Sequence, residues 1–128
     1  MKLLIDTHVL IWWTRDQDRL PKRVQSKLLT RHNEIFVSTV TAWEIAIKFR
    51  SGKLDFDPGF LADFDKSLAG LAFLPLAMTS LHAVTAAALP GTHRDPFDRM
   101  LAGQAAIEQM SLVTSDRKFA SFGVPIIW

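Results

Sequence analysis

The chain has 128 residues, of which 48% are hydrophobic, and its formal net charge is +2. This length and composition suit one globular domain over residues 1–128 and exclude a disordered chain. The sequence contains no cysteine, which excludes disulfides, thiolate zinc sites and cysteine nucleophiles. It also has neither a signal peptide nor an apolar run long enough to cross a bilayer. We therefore expect a cytoplasmic protein with no membrane partner.

Apolar runs bounded by turn residues predict strands, and apolar residues three or four apart predict helices. In chain order, the predicted elements are strand 2–5, a helix beginning THVLIWW, helix 21–32, strand 34–38, helix 39–50, helix 60–70, strand 73–76, helix 79–89, helix 95–109, strand 112–114, short helix 116–122 and strand 124–128. Thr39 or Thr41 can cap helix 39–50. This alternation of strands and helices predicts an α/β fold with a mostly parallel sheet.

Two aspartates directly follow predicted strands. Asp6 comes after the run LLI, and Asp116 comes after LVTS. Ligand sites in parallel α/β sheets gather where the strands end, so both side chains are expected at one edge of the sheet. The structural alternative is that each aspartate only caps the helix that follows it. Two such aspartates in one small sheet favour a shared site.

Glu44 lies inside the predicted helix 39–50, beside an apolar stripe that we expect to face the core. The stripe consists of Val40, Trp43 and Ile47. A carboxylate at the border of such a stripe is costly to dehydrate unless it has partners. The alternative is an ion pair with Lys48, worth only a few tenths of a kcal/mol, which needs an exposed face. The apolar neighbours favour a buried Glu44 and make it the third candidate.

The motif RDPFDR contains two further aspartates. Asp95 precedes Pro96, a pattern typical of an N-cap residue followed by proline in the first turn of a helix. Asp98 then falls in that first turn, where it can interact with the helix dipole or close a capping box. Capping explains Asp95 well and Asp98 only adequately, so Asp98 is the fourth candidate.

Four clustered carboxylates repel one another unless a positive charge compensates them. A divalent cation supplies that charge, and a site of oxygen ligands favours Mg²⁺ or Mn²⁺. Such ions activate water and stabilise the oxygens of a cleaved phosphodiester. The acidic residues therefore predict a metal-dependent nuclease.

Four stretches carry a family resemblance, and together they span nearly the whole chain. They are LLIDTHVLIWW at 3–13, STVTAWEIAIK at 38–48, LPGTHRDPFDRMLAGQA at 89–105 and LVTSDRKF at 112–119. With these motifs in this order, the sequence resembles the PIN-domain ribonucleases, and within them the VapC toxins of bacterial toxin–antitoxin pairs. The family's acidic positions correspond to Asp6, Glu44, Asp98 and Asp116 as catalytic and metal-binding residues.

The resemblance implies a three-layer α/β/α fold around a parallel sheet of about five strands. It also implies Mg²⁺- or Mn²⁺-dependent cleavage of RNA that leaves a 5′-phosphate and a 3′-hydroxyl. The family tends to have a hydroxyl residue before the last aspartate, a position that Thr114 and Ser115 both fit. Expected partners are an RNA substrate, a small antitoxin protein that covers the acidic groove, and a second copy of the chain in a homodimer.

Cationic residues flank these motifs. The predicted helix 95–109 is flanked by His93, Arg94 and Arg99, and all three are candidates for binding RNA phosphates. Lys48, Arg117 and Lys118 lie close to motif carboxylates in the same way. The alternative for all of them is a solvated surface with local ion pairs. The four histidines have no metal-ligand spacing and are expected to be structural or exposed.

Two other functions were weighed against the nuclease. A response-regulator signalling domain is also α/β and gathers aspartates with Mg²⁺, but it needs a lysine at a strand end. No lysine here follows a predicted strand, and Glu44 lies in mid-helix. The other alternative is an interaction module whose acidic groove only binds a basic peptide, in which case the carboxylates have no catalytic role.

Overall fold

The computed structural model describes residues 1–91 and 93–128. The strands are β1 (Lys2–Ile5), β2 (Glu34–Ser38), β3 (Leu74–Leu76), β4 (Ser111–Val113) and β5 (Ile126–Ile127). The helices are α1 (Thr7–Arg15), α2 (Lys22–Leu29), α3 (Thr39–Arg50), α4 (Pro58–Ala62), α5 (Phe64–Gly70), α6 (Ser80–Ala88) and α7 (Pro96–Glu108), with 3₁₀ turns at Gln17–Arg19 and Arg117–Phe122. Within the described ranges, no helix combines the length and the hydropathy of a membrane span.

The five strands form one parallel sheet in the order β3-β2-β1-β4-β5. The central strand β1 pairs with both β2 and β4, so that Ile5 lies opposite Val37 on one side and Val113 on the other. The chain runs outward from β1 through β2 to β3, and later places β4 and β5 on the opposite side. The strand order therefore changes direction between β1 and β4, which makes this position a topological switch point. Ligand sites form at such points in sheets of this kind.

Helices cover both faces of the sheet, as side-chain alternation along β1 requires. Leu3 and Ile5 point into a core built with α1, α2, α5 and Ile45 of α3. Leu4 points the other way, into a second core with α7 and the 3₁₀ turn at Arg117–Phe122. The predicted α/β fold, with three layers and about five strands, is confirmed.

Several predicted boundaries differ from the structure. The single helix expected over 60–70 is two helices, because the backbone of Asp63 is not helical (φ −145°, ψ 79°) and its side chain caps α5 through the amide of Lys66. Ser38, and neither Thr39 nor Thr41, caps α3 by accepting from the amide of Val40. At Asp63, the hydrogen bonds of a local cap therefore determined the helix boundaries more strongly than the spacing of apolar residues did. Helix 21–32 also ends early, at Leu29, and the last strand covers only Ile126–Ile127.

The contact between α6 and α7 requires a glycine. A Cβ atom on Gly103 would lie 2.9 Å from the backbone nitrogen and Cα of Ala86. We expect Gly103→Ala to lower the free energy of unfolding by about 1–3 kcal/mol through overpacking, although alanine favours helix by about 1 kcal/mol. Chemical denaturation measures this change.

The matched control is Gly70→Ala at the end of α5, where an added Cβ meets no described atom within 4 Å. We expect this variant to be as stable as the wild type or slightly more stable. Equal effects of the two substitutions would contradict the close approach of α6 and α7.

Candidate active site

The four predicted carboxylates line one cavity of about 190 Å³ at the carboxyl edge of the sheet. Asp6 follows β1, Asp116 lies just beyond β4, and α3 and α7 contribute Glu44 and Asp98. The other lining residues include His8, His93, Lys48 and Lys118. The topology thus brings together side chains that are up to 110 positions apart in the sequence (116 − 6 = 110).

Asp6 both caps α1 and lines the cavity. Its Oδ1 accepts a 2.8 Å hydrogen bond from the amide of Val9, and the residue is only 4% exposed. A carboxylate has further acceptor capacity beyond one cap bond, so capping leaves Asp6 able to bind a cation. Burial raises the pKa of Asp6 above its ordinary value, whereas hydrogen bonds from Thr114 and Val9 oppose that rise.

Asp116 is likewise a cap that lines the cavity. Its Oδ1 accepts from the amide of Lys118 at 2.9 Å, and its own amide donates to the hydroxyl of Thr114 at 3.0 Å. Thr114 is buried and interacts with both aspartates, Asp6 and Asp116. Ser115, the other predicted hydroxyl residue, is exposed and lines a separate depression with Arg23.

Glu44 is 5% exposed and is held through both carboxylate oxygens. Its Oε1 accepts from the hydroxyl of Thr7 at 2.7 Å, and its Oε2 accepts from Nζ of Lys48 at 2.6 Å. The ion pair that we expected to need an exposed face thus forms with a buried glutamate, because the half-exposed Lys48 reaches it from the rim. Both partners fix the position of the carboxylate.

The predicted orientation of α3 is wrong even though Glu44 is buried. Trp43 and Ile47 are 57% and 42% exposed, and the helix buries Thr41 and Ile45 on the face of Glu44. Trp43 makes an edge-to-face contact with Phe97 of α7, with ring centroids 5.4 Å apart. Of the three residues predicted to face the core, only Val40 is buried, and the other two form an apolar surface on the outer side of α3.

The two aspartates of RDPFDR make different contacts. Oδ1 of Asp95 accepts from the amides of Phe97 (2.9 Å) and Asp98 (3.3 Å), which makes it the N-cap of α7. Asp98 instead faces His93, with 2.7 Å between its Oδ2 and Nε2 of the ring. Burial raises the pKa of Asp98 from 3.8 to about 6, and the hydrogen bond with His93 limits that rise.

The position of His93 beside the carboxylates was not predicted, because the sequence indicated only a contact with RNA phosphates or a structural role. Its ring lies near Phe119 and Phe122, with centroids 6.2 and 5.7 Å away. His93, Asp98 and Asp116 each offer a ligand atom, and these atoms all lie within 4.8 Å of one another. No local spacing indicated this arrangement, because it depends on contacts between His93 and the aromatic rings of the 3₁₀ turn at Arg117–Phe122, which is distant in the sequence.

The cavity fits a divalent cation in the chemistry of its donors. Carboxylates are the ligands that Mg²⁺ and Mn²⁺ favour, and four of them line a small space. The pKa values of Asp6 and Asp98 are raised mainly by burial, and the nearby carboxylate of Glu44 adds to both rises. A bound cation would compensate the negative charge of these carboxylates.

The two predicted substrate-binding arginines occupy different environments. The guanidinium of Arg99 donates to three backbone carbonyls, those of Ala86 (2.9 Å), Leu89 (2.8 Å) and Gly91 (3.1 Å). It therefore ties α7 to the end of α6 and to the segment between the two helices. Arg94 is exposed and lines a second cavity of about 480 Å³.

That second cavity is basic and adjoins the acidic one. Its lining consists of His93, Arg94, Arg117, Lys118 and Ser121. His93 and Lys118 also line the acidic cavity, so the two spaces share a wall. Phosphate groups of a ligand that extends from the acidic cavity into the basic cavity would contact three cationic side chains.

The chain is similar to known proteins over nearly its full length. It is 27% identical over 124 residues to Ribonuclease VapC22 of Mycobacterium tuberculosis, covering 96% of this chain and 93% of that protein. Its fold resembles VapBC2 from Rickettsia felis bound to a promoter DNA fragment (TM-score 0.73, 17% identity, 99% of this chain and 98% of that chain). DNA-bound VapBC from Salmonella typhimurium is equally similar (TM-score 0.73, 19% identity, 99% and 97%). Residues 3–125 match the family model of the PIN domain, and the chain therefore belongs to the PIN-domain family.

Proposed function

We propose that the protein is a divalent-metal-dependent endoribonuclease and the toxin of a toxin–antitoxin pair. The observation that carries this proposal is the convergence of Asp6, Glu44, Asp98 and Asp116 on one cavity beside the switch point of the sheet. The similarity to a protein named Ribonuclease VapC22 supports RNA as the substrate class. Membership of the PIN-domain family favours this activity over response-regulator signalling.

Asp6, Glu44, Asp98 and Asp116 are the residues that would hold Mg²⁺ or Mn²⁺. When bound, such a cation supplies the positive charge that stabilises a cleaved phosphodiester and promotes deprotonation of the attacking water. The protein contributes fixed ligand positions. Thr7 and Lys48 hold Glu44, Thr114 holds the backbone at Asp116, and Val9 holds Asp6.

Hydrolysis forms a bond between the water oxygen and phosphorus and breaks the bond to the 3′ oxygen, which takes up a proton. The products are then a 5′-phosphate and a 3′-hydroxyl. The neighbouring phosphates of the RNA would lie in the basic cavity against Arg94, Arg117 and Lys118. In this proposal Arg99 supports the chain before α7 and does not contact substrate, because its guanidinium is bonded to backbone carbonyls.

The similar solved structures support a protein partner for the same surface. The similar solved structures from Rickettsia felis and Salmonella typhimurium are VapBC bound to DNA. We propose that a small antitoxin covers the acidic cavity here, with a basic side chain near the four carboxylates, and that the chain forms a homodimer. Masking of the cavity would keep RNA away from Asp6 and Asp116.

Loss of one ligand charge is the first test of the nuclease. Asp6→Asn and Asp116→Asn retain a side chain that caps a helix as well as aspartate does, so both variants should fold. We expect Mg²⁺- or Mn²⁺-dependent RNA cleavage to fall by more than about 100-fold, beyond the loss typical of outer-shell partners of a metal. Gel analysis of end-labelled RNA measures the rate.

The control for these two variants is Asp65→Asn, which makes the same chemical change at an exposed position of α5. It should cleave at the wild-type rate. Cleavage that survives in Asp6→Asn and Asp116→Asn would move the active site elsewhere. A wild-type protein that cleaves no RNA with either metal would favour the interaction module.

Removal of the basic side chains tests how RNA binds. We expect Arg94→Ala and Lys118→Ala, in an Asp6→Asn background that prevents cleavage, to weaken binding of single-stranded RNA. Each should also lower the slope of log K against log salt by about 0.7 if it removes one phosphate contact. Fluorescence anisotropy at several salt concentrations gives both quantities.

Arg31→Ala is the matched control, because Arg31 lies just before β2, at the amino edge of the sheet and opposite the cavities. It should change neither the affinity nor the slope. Equal losses in Arg31→Ala and Lys118→Ala would indicate attraction by overall charge and contradict a basic cavity that holds RNA.

The raised pKa of Asp98 predicts a pH-dependent stability of the metal-free protein. Between its ordinary value of 3.8 and its folded value of about 6, the native state binds more protons than the unfolded state. Stability therefore falls as pH rises through this window and stays lower above it. We expect the free energy of unfolding of Asp98→Asn to be higher than that of the wild type by on the order of 2 kcal/mol at pH 7.5. Near pH 4 the two free energies should be equal.

Urea denaturation in the presence of a chelator measures this difference, with Asp65→Asn as the control that should follow the wild type at both pH values. Added Mn²⁺ should stabilise the wild type at pH 7.5 and reduce the gap. A difference between Asp98→Asn and the wild type that is equally large at pH 4 would contradict the raised pKa.

A further inference from the structure

His93 is placed as a metal ligand would be. Its Nε2 lies 2.7 Å from Oδ2 of Asp98, and its side chain is 14% exposed. Contacts with Phe119 and Phe122 also restrict the ring, with centroids 6.2 and 5.7 Å away. The ring also forms part of the wall between the acidic and the basic cavity.

The distances suit three ligands of one ion. Two neighbouring ligands at about 2.1 Å from an octahedral ion are roughly 3 Å apart, close to the separation of His93 and Asp98. Asp116 completes a group in which all ligand atoms are within 4.8 Å of one another. Among residues 1–91 and 93–128, this is the one group of three histidine, aspartate or glutamate side chains with that spacing.

We propose that His93 supplies a nitrogen ligand to a divalent cation that it shares with Asp98 and Asp116. The proposal rests on the metal dependence of the proposed function and adds a ligand to the four acidic residues. With its proton on Nδ1, the ring presents the lone pair of Nε2 to the ion in place of the hydrogen bond to Asp98.

A nitrogen donor changes which metal the site prefers. Imidazole suits transition metals, whereas Mg²⁺ binds oxygen ligands and keeps much of its water. A site of one imidazole and two carboxylates should therefore prefer Mn²⁺ to Mg²⁺ more than an all-carboxylate site does. Loss of the ring should reduce the affinity for Mn²⁺ by about tenfold or more and the affinity for Mg²⁺ by less.

His8 is the natural control because it also lines the acidic cavity but is exposed and lies outside the group of three. The other two histidines lie elsewhere. His82 is buried in the capping box of α6, and His32 is in the turn before β2. His93→Phe and His8→Phe remove the nitrogens and keep a ring.

The test is electron spin echo envelope modulation of the full chain loaded with Mn²⁺, without RNA. We expect the wild type and His8→Phe to show the ¹⁴N coupling of a directly bound imidazole and His93→Phe to lack it. Calorimetric titration with Mn²⁺ and Mg²⁺ should show the unequal losses of affinity in His93→Phe. Circular dichroism checks that each variant folds.

A wild-type spectrum without ¹⁴N coupling would overturn the proposal and leave His93 as a hydrogen-bond partner of Asp98. Coupling that persists in His93→Phe, or disappears in His8→Phe, would overturn it as well. If His93→Phe does not fold, the spectra of the wild type and of His8→Phe still test the proposal, because both must show ¹⁴N coupling. If the wild type cleaves RNA but shows no ¹⁴N coupling, the proposal for His93 is rejected and the proposed nuclease function stands. If it shows the coupling but cleaves no RNA, the nuclease function is rejected and His93 remains a metal ligand.

Discussion

The parallel pairing of β1 with β4 is the interaction on which the site depends. It sets Ile5 opposite Val113, so that the chain leaves both strands at the same edge and Asp6 and Asp116 follow. The amide of Asp6 donates to the carbonyl of Val113 at 3.1 Å, which continues the pairing to the first acidic residue. Helices on both faces then bring two more carboxylates to this edge.

Structural and chemical roles coincide in these residues. Asp6 and Asp116 cap the segments that follow them, and Glu44 forms an ion pair with Lys48. A cap or an ion pair occupies one or two of the lone pairs of a carboxylate and fixes its position. In the proposed metal site, these caps and this ion pair would hold the ligands in place, which is the preorganisation that such a site requires.

The apolar strands and most helices could be predicted from the sequence because burial imposes periods of two and about 3.6 on the side chains. Apolar spacing failed where a local cap was stronger, as at Asp63, which divides the helix expected over 60–70. It also failed on α3, where the exposed Trp43 and Ile47 imitate a core face. Periodicity records hydrophobicity and cannot tell a core from an exposed apolar surface.

The candidate site was only partly predictable for a similar reason. Strand-end aspartates follow from topology, so the sequence alone predicts that Asp6 and Asp116 lie close together. The position of His93 could not be predicted in this way, because its contact with Asp98 depends on a turn between them and on the packing of Phe119 and Phe122. Such contacts arise from tertiary structure and leave no spacing in the sequence.

The central claim is that these carboxylates form a cation site. Crystals of the protein soaked in Mn²⁺ would test it through anomalous diffraction at a wavelength near the manganese edge. The account predicts an anomalous peak in the cavity between Asp6, Asp98 and Asp116, absent from crystals of Asp116→Asn. A cavity that stays without a peak at saturating Mn²⁺, or a peak confined to other surfaces, would contradict it.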